Sequence, residues 1–381
     1  MYANQNDASD AAPTGPTLQD RRFAALRGCD RVLSGTRPQT LRERLAALAE
    51  EAGPAYDLDQ RPDFYGGSVL QALEARVAGL LGTEDAAFFP TGTMAQQVAM
   101  RIWSERRGDR NIALHPLHHP EMYERRAYAA LGGLRSVWPT TEPRIPTPQE
   151  LRDFDEPYAV LALELPLREA GFLLPTWEEL TATVAAARTP VHFDGARLWE
   201  SVFHLGRPLP EIAGLADSVY VSFYKTLGGI SGAALAGDHG FVRTARAWRH
   251  RYGGQLFQQW PAALSALAGL DRELPLLESY VDHAKVVAGA LAGALAGLPG
   301  ARVYPEPPHT HQFQLWLPYP AHALDEAGVR LAEESGTGLF GGWRDSPLPG
   351  LAVTEVTVAS PALEWTAKDV AAAVEALLAL L

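Results

Sequence analysis

The sequence predicts an α/β protein, with a large domain built on a mainly parallel sheet and a smaller α+β domain after it. Three observations carry this expectation. Compact apolar runs bounded by turn residues recur between about 86 and 237, and most are separated by segments of helical periodicity, the pattern of strand–helix–strand units. A strongly helical stretch from about 262 to 298 then leads into a remainder that mixes strand-like and helical pieces. At 381 residues, the chain is also longer than a single core usually supports.

Taken in order, residues 1–20 are polar, Pro/Gly-rich and aperiodic and read as a disordered arm. A helix begins after Pro38 (LRERLAALAE). Beyond the turn-rich YDLDQRPDFYGG, Ser68 is placed to cap a helix whose apolar positions Leu70, Leu73, Val77 and Leu80 recur at helical spacing and which stops at Gly82. The apolar runs AAFFP (86–90), NIALH (111–115), YAVLALEL (158–165), PVHFD (190–194), DSVYVSFY (217–224) and SGAALAG (231–237) read as strands, with helical patterns such as WEELTATVAAAR between most of them. Pro275 breaks or kinks the long helical stretch. After it, QFQLWL and LAVTEVTV are strand-like, and EAGVRLAEES and KDVAAAVEALLALL are helical. The domains expected are an arm at 1–20, a large domain at 21–265, and a connector helix with a small domain at 266–381. No internal repeat is visible.

Composition narrows the function. A net charge of -12 argues against nucleic acid or an anionic membrane as the main partner. No run approaches the length of a membrane span, and the N-terminus lacks a basic start and an apolar core. The single cysteine, Cys29, excludes an intrachain disulfide and a thiolate-rich metal site. The expectation is a cytoplasmic protein acting on a small molecule. Lysine is the sharper signal: of 33 basic residues only Lys225, Lys285 and Lys368 are lysines. A guanidinium stays charged and is no nucleophile at neutral pH, so a lysine kept against this bias points to a need for the amine. Lys285 and Lys368 lie in alanine-rich helical segments; Lys225 does not.

Four features stand in the order a pyridoxal 5'-phosphate site requires. Pro90-Thr91-Gly92-Thr93 falls between a strand and a helix, where small residues free backbone N–H groups for a phosphate; an ordinary strand-to-helix turn is the alternative. His119 of HHPEMYE offers an imidazole to stack on the cofactor ring and assist proton transfer, or is an exposed loop histidine. His115 and His118 lie nearby, but no recognisable metal-ligand pattern completes a site, so no metal is expected. HFDGAR ends a strand, with Asp194 suited to keep the cofactor's ring nitrogen protonated, or to cap the next helix. Arg197 can reach toward the phenolic oxygen. Finally, SFYKTLGG places Lys225 after a strand, 31 residues beyond Asp194, so that neighbouring parallel strands bring both to one sheet edge. A buried lysine there tends to lose its proton, as Schiff-base chemistry requires.

Through DFYGGSVLQALEARVAGLLG, AAFFPTGTMA, HHPEMYE, VHFDGARLWESV, DSVYVSFYKTLGG and AWRHRYGG, over about residues 60–260, the chain resembles the threonine aldolase and β-eliminating lyase branch of the fold-type I pyridoxal-phosphate enzymes. The resemblance implies Lys225 as the cofactor-linking lysine, Asp194 on the ring nitrogen, Arg197 near O3′ and His119 on the ring. It also implies Gly92 and Thr93 at the phosphate, Tyr65 near the substrate or across a dimer interface, and assembly as a homodimer or homotetramer.

The chain departs from the family at the substrate clamp. LRGCD offers Gly28 and Cys29 where a serine is usual, and TEVTVAS has Glu355 in the region of the usual carboxylate-binding arginine. ELPLREAG, residues 164–171, replaces a histidine-containing run. Arg168 in that run is either a replacement carboxylate contact or a surface arginine, and Arg249 or Arg251 is a candidate for a rearranged phosphate contact. The function expected is a lyase cleaving the Cα–Cβ bond of a β-hydroxy-α-amino acid to glycine and an aldehyde. β-Elimination or another Cα transformation is the alternative reaction, and a cofactor-binding protein without turnover the non-enzymatic one.

Overall fold

The computed structural model describes residues 15–381. Residues 1–14, most of the expected arm, lie outside the described residues. Residues 18–20, also assigned to that arm, instead open a helix, Leu18–Gly28, because Thr17 and Asp20 form a reciprocal capping box.

The chain divides into two compact units. One holds 40–288 and 303–314; the other holds the described residues up to 39 with 289–302 and 315–381. The second unit therefore draws residues from both ends of the chain, a division that differs from the expected boundary near residue 265. Its pieces include the parallel pairing of Arg31–Val32 with Thr337–Gly338 and the antiparallel pairing of Arg344–Asp345 with Ala352–Thr357. No helix among the described residues is long and apolar enough to cross a membrane.

The larger unit is built on a seven-stranded sheet, its strands numbered here in chain order: β1 (Asp85–Phe89), β2 (Asn111–Ala113), β3 (Arg135–Val137), β4 (Leu161–Glu164), β5 (Val191–Gly195), β6 (Ser218–Ser222) and β7 (Ala233–Gly237). Their spatial order is β1-β7-β6-β5-β4-β2-β3, parallel except for β7, which runs against both neighbours. Strands β4 to β7 are buried throughout, as expected of unbroken apolar runs covered on both faces.

The register fixes the site. Glu164 pairs with Asp194, and Asp194 with Tyr220, across β4, β5 and β6. Because β7 is reversed, Ala233 sits opposite both Ser222 and Phe89. The carboxyl ends of β1, β4, β5 and β6 therefore share one edge, where ligands of open α/β sheets gather.

The expected helix after residue 68 is present as Ser68–Leu81, closed by Gly82 in the left-handed conformation (φ 67). Ser68 does not cap it. Gly67 holds that position without a side-chain hydrogen bond, and residues 65–68 all have positive φ, so Ser68 lacks the extended backbone a capping side chain needs. Leu81, rather than Leu80, is the fully buried leucine of the last turn. Pro275 falls in the 3₁₀ turn Leu274–Leu276, which separates helices Trp260–Glu273 and Leu277–Leu295, as a missing N–H at that point demands.

Candidate active site

Lys225 follows β6 by three residues, in the turn that Gly229 closes by donating its N–H to Phe223 O at 2.8 Å. Burial first, then the Arg197 and Arg168 charges, bring the Lys225 ammonium down to about 8, against the opposing pull of the Asp194 and Glu164 carboxylates. The amine is thus set among two arginines and two carboxylates, with its nitrogen 5.4 Å from the centre of the Tyr224 ring.

Asp194 is buried on β5. Its Oδ2 lies 3.0 Å from His118 Nε2, and its Oδ1 accepts the N–H of Ala196 at 3.2 Å. Burial pushes the carboxyl upward, but the His118 hydrogen bond and charge outweigh it and hold Asp194 below its ordinary value. The reverse balance raises His118: burial favours the neutral ring, yet Asp194, Glu164 and Glu124 together favour the charged one. Glu164, one strand over, is raised by burial and by the Asp194 charge. Its two oxygens accept the backbone N–H groups of His119 (3.0 Å) and Arg168 (3.3 Å). Ligand atoms of His118, Glu164 and Asp194 lie within 4.8 Å of one another.

The adjacent histidines therefore diverge. His118 turns inward to Asp194, while half-buried His119 places Nδ1 3.1 Å from Glu124 Oε1. Glu124 is itself held by Gln97 Nε2 at 3.3 Å. A carboxylate behind an imidazole fixes the ring's tautomer and orientation, leaving Nε2 as its working end.

Gly92 opens the helix Gly92–Arg107, which Thr91 caps by accepting the N–H of Met94. A Cβ on Gly92 would come 2.2 Å from Tyr220 Oη, so only glycine lets the helix start this close to β6. Thr93 is half-buried in the same first turn, and this end offers unpaired N–H groups and a positive dipole. The two candidate replacement arginines differ in burial and contacts. Buried Arg249 is committed to Phe88 O and Glu74, and exposed Arg251 packs on Trp248.

Arg197 has its guanidinium carbon 5.2 Å from the centre of the Phe172 ring. Arg168, the loop arginine with two possible readings, is only 7% exposed and sits over the Tyr123 ring at 5.1 Å; burial excludes the surface reading. Tyr65 stands apart, 51% exposed, in edge-to-face contact with Phe64 and Phe257. Gly28, Cys29 and Glu355 belong to the second compact unit.

Sequence reasoning missed several members of this group: His118 as Asp194's partner, Glu124, Glu164 as a double acceptor, Tyr220 and Ser222. Their signal is weak because the pairings cross strands or loops. Two adjacent histidines followed by an acidic residue are the one local hint.

These residues fit pyridoxal phosphate. They supply a buried amine with a lowered pKa, an ionised carboxylate one strand away, and a glycine-opened helix terminus where a Cβ cannot stand. Ser222 Oγ, buried at the end of β6 without a hydrogen-bond partner, is a donor left over for a group the protein itself does not supply.

Comparisons with known proteins agree. The family described as Beta-eliminating lyase matches residues 56–313. Low-specificity L-threonine aldolase 1 of Arabidopsis thaliana is 29% identical over 61% of this chain and 67% of its own length. The low specificity L-threonine aldolase of Escherichia coli K12 is 29% identical over 61% of this chain and 72% of its own. The chain thus spans about two thirds of the length of these curated relatives. Among solved structures, a putative L-allo-threonine aldolase from Listeria monocytogenes is 32% identical, covers 96% of this chain and 100% of its own, and superposes with a TM-score of 0.85. The expected fold type I is therefore the observed one.

Proposed function

Since the chain belongs to the β-eliminating lyase family, we propose that it is a pyridoxal-phosphate-dependent lyase cleaving the Cα–Cβ bond of threonine-like β-hydroxy-α-amino acids to glycine and an aldehyde. The observation that carries this reading is the buried Lys225 amine set among Arg197, Arg168, Asp194 and Glu164. When bound, the cofactor supplies an electron sink for the bond that breaks.

The chain's own residues divide the remaining work. Lys225, with its lowered amine pKa, would hold the cofactor. Asp194, kept ionised by His118, would keep a proton on the cofactor's ring nitrogen, and Arg197 would serve its phenolic oxygen. Gly92 and Thr93 hold the phosphate at the helix end. His119, its Nδ1 backed by Glu124, is the imidazole that would serve the β-hydroxyl proton, directly or through water. Arg168 takes the place of the family's carboxylate-binding arginine, supported by its burial beside Lys225 and by the planar, two-pronged donor a carboxylate suits.

Within this proposal the protein works in the cytoplasm, as its single cysteine suggests, and assembles as a homodimer or homotetramer. The exposed Phe64–Tyr65–Phe257 cluster is the kind of surface a second copy covers, which would make Tyr65 a residue of the partner's site.

The test is to add the cofactor to purified protein, follow its absorption band, and then supply L-threonine and L-allo-threonine with detection of aldehyde and glycine. Aldehyde and glycine in equal amounts are expected. A 2-oxo acid with ammonia would replace the retro-aldol reaction by β-elimination, and no product from either amino acid would sink the proposed substrate class.

A further inference from the structure

Strand β1 forms one edge of the seven-stranded sheet, with β7 as its neighbour. Every second residue of an edge strand turns its N–H and C=O outward, away from the sheet. On β1, side chains take the place of a further strand. At Ala86 the N–H donates to Asp85 Oδ1 at 2.8 Å, and the carbonyl accepts Arg246 Nη2 at 2.7 Å. At Phe88 the N–H donates to Glu74 Oε1 at 2.8 Å, and the carbonyl accepts Arg249 Nη1 at 2.5 Å. Glu74 joins the two arginines, taking Arg246 Nη2 at 2.9 Å and Arg249 Nη1 at 3.3 Å.

The two ends of this brace differ in what lies beyond them. Arg246 serves the start of β1, where its Nη1 also meets Asp85 Oδ2 at 2.6 Å. Arg249, only 6% exposed, serves the end that leads to the candidate phosphate site. Only Phe89, Pro90 and Thr91 separate Phe88 from Gly92, the first residue of the helix Gly92–Arg107. The Arg249 backbone supplies a second route to the same place. Its carbonyl accepts the N–H of Gly254 at 2.8 Å, and a Cβ on Gly254 would stand 2.3 Å from Met94 Sδ, in the first turn of that helix. One residue therefore holds both the strand that enters the helix terminus and the turn that packs on it.

We propose that Arg249 is a positioning residue for the cofactor phosphate: bonded to Phe88 O and Glu74, it fixes the end of β1 and thereby the direction in which the Gly92 helix presents its N–H groups. This rests on the phosphate being held at Gly92 and Thr93, as proposed above. Arg249 acts through the strand and the first helical turn, its guanidinium being committed to a backbone carbonyl and a carboxylate. Without that bond the last peptide of β1 is free to turn about its two soft dihedrals, and N–H groups aimed at an anion lose much of their value when displaced by as little as about 1 Å.

The experiment titrates cofactor-free protein with pyridoxal phosphate and, separately, with pyridoxal, which has the same ring and aldehyde but no phosphate, and follows the absorption band of each. The quantity read is the Kd for pyridoxal divided by the Kd for pyridoxal phosphate. A general loss of stability weakens both ligands alike and leaves this ratio in place. In Arg249→Met the ratio should fall roughly tenfold or more, the scale of one charge-assisted hydrogen bond, through weaker binding of the phosphate form. Arg249→Lys keeps a cation beside Glu74 but loses the planar head; its ratio should lie between those of wild type and Arg249→Met, and it replaces Arg249→Met if that variant does not fold. Arg246→Met removes the equivalent contacts at Ala86, farther from the helix, so it should lower stability and keep the wild-type ratio. An unchanged ratio in Arg249→Met, or in Arg249→Lys where only that variant folds, overturns the proposal. An equal fall in Arg246→Met overturns it too, by assigning the effect to the sheet edge as a whole. A wild type that binds both ligands equally would instead remove the phosphate site from Gly92 and Thr93, and this proposal with it.

Discussion

His118 Nε2 lies 3.0 Å from Asp194 Oδ2, with both side chains sealed from solvent. The histidine holds the ring carboxylate ionised in a place where burial alone would neutralise it. Breaking such a pair leaves an uncompensated buried charge, at a cost of about 3–5 kcal/mol. We expect His118→Phe to lower kcat/KM for L-threonine by roughly 10- to 100-fold, the value of one charge-assisted hydrogen bond, and to lower stability. The pH dependence has a definite sign. Asp194, lowered in the fold, contributes stability above its ordinary value of 3.8 that is lost on acidification, while His118, raised in the fold, contributes stability below 6.5 that is lost as pH rises. The stability difference between wild type and His118→Phe, measured by denaturant titration, should therefore be greatest between those two values; a difference that does not change with pH would count against the ion pair.

Lys225 provides the second prediction. Its folded pKa of about 8 means that the neutral amine grows tenfold per pH unit below that value and levels off above it. The rate at which cofactor-free protein captures pyridoxal phosphate, followed by stopped-flow absorbance, should trace the same curve. Lys225→Ala should lose borohydride-reducible cofactor while keeping its far-UV circular dichroism. Retention of reducible cofactor would move the linkage to another lysine.

The third concerns Gly92 and Tyr220. Gly92→Ala drives a methyl group into the Tyr220 hydroxyl, and overpacking of this kind costs about 1–3 kcal/mol. Cofactor affinity should fall because the helix terminus must shift. Removing the hydroxyl in the double variant Gly92→Ala/Tyr220→Phe should recover most of the loss. Calorimetric cofactor binding showing no recovery would place the damage in the backbone rather than in this contact.

Arg168 provides the fourth. Arg168→Lys keeps the charge but loses the planar two-pronged donor, so KM for L-threonine should rise at least about tenfold with a smaller change in kcat. An unchanged KM would return the substrate carboxylate to another group.

Most of the architecture was legible because parallel-sheet strands are apolar along their whole length and the helices between them are punctuated by caps and glycines. Lys225 was conspicuous because arginine fills nearly every other basic position. Pairings that depend on register were not legible. Nothing local says that Glu164 lies beside Asp194, or that two neighbouring histidines serve different carboxylates, since these relationships exist only once strands are aligned. Ser68 failed as a cap for a conformational reason, the run of positive φ before it. That Arg249 braces a strand end through Phe88 O was not legible either, since nothing local marks an arginine as bonded to a distant carbonyl.

Glu164 receives one N–H from His119 and another from Arg168, so two loops leaving different strand ends hang from a single side chain. The residue proposed to move the proton and the residue proposed to recognise the carboxylate thus share a common anchor. Substitutions in the 165–171 loop that widen substrate scope will tend to displace the base as well, and their effects will not add independently. Selectivity and turnover are thereby tied, in this chain, to one carboxylate.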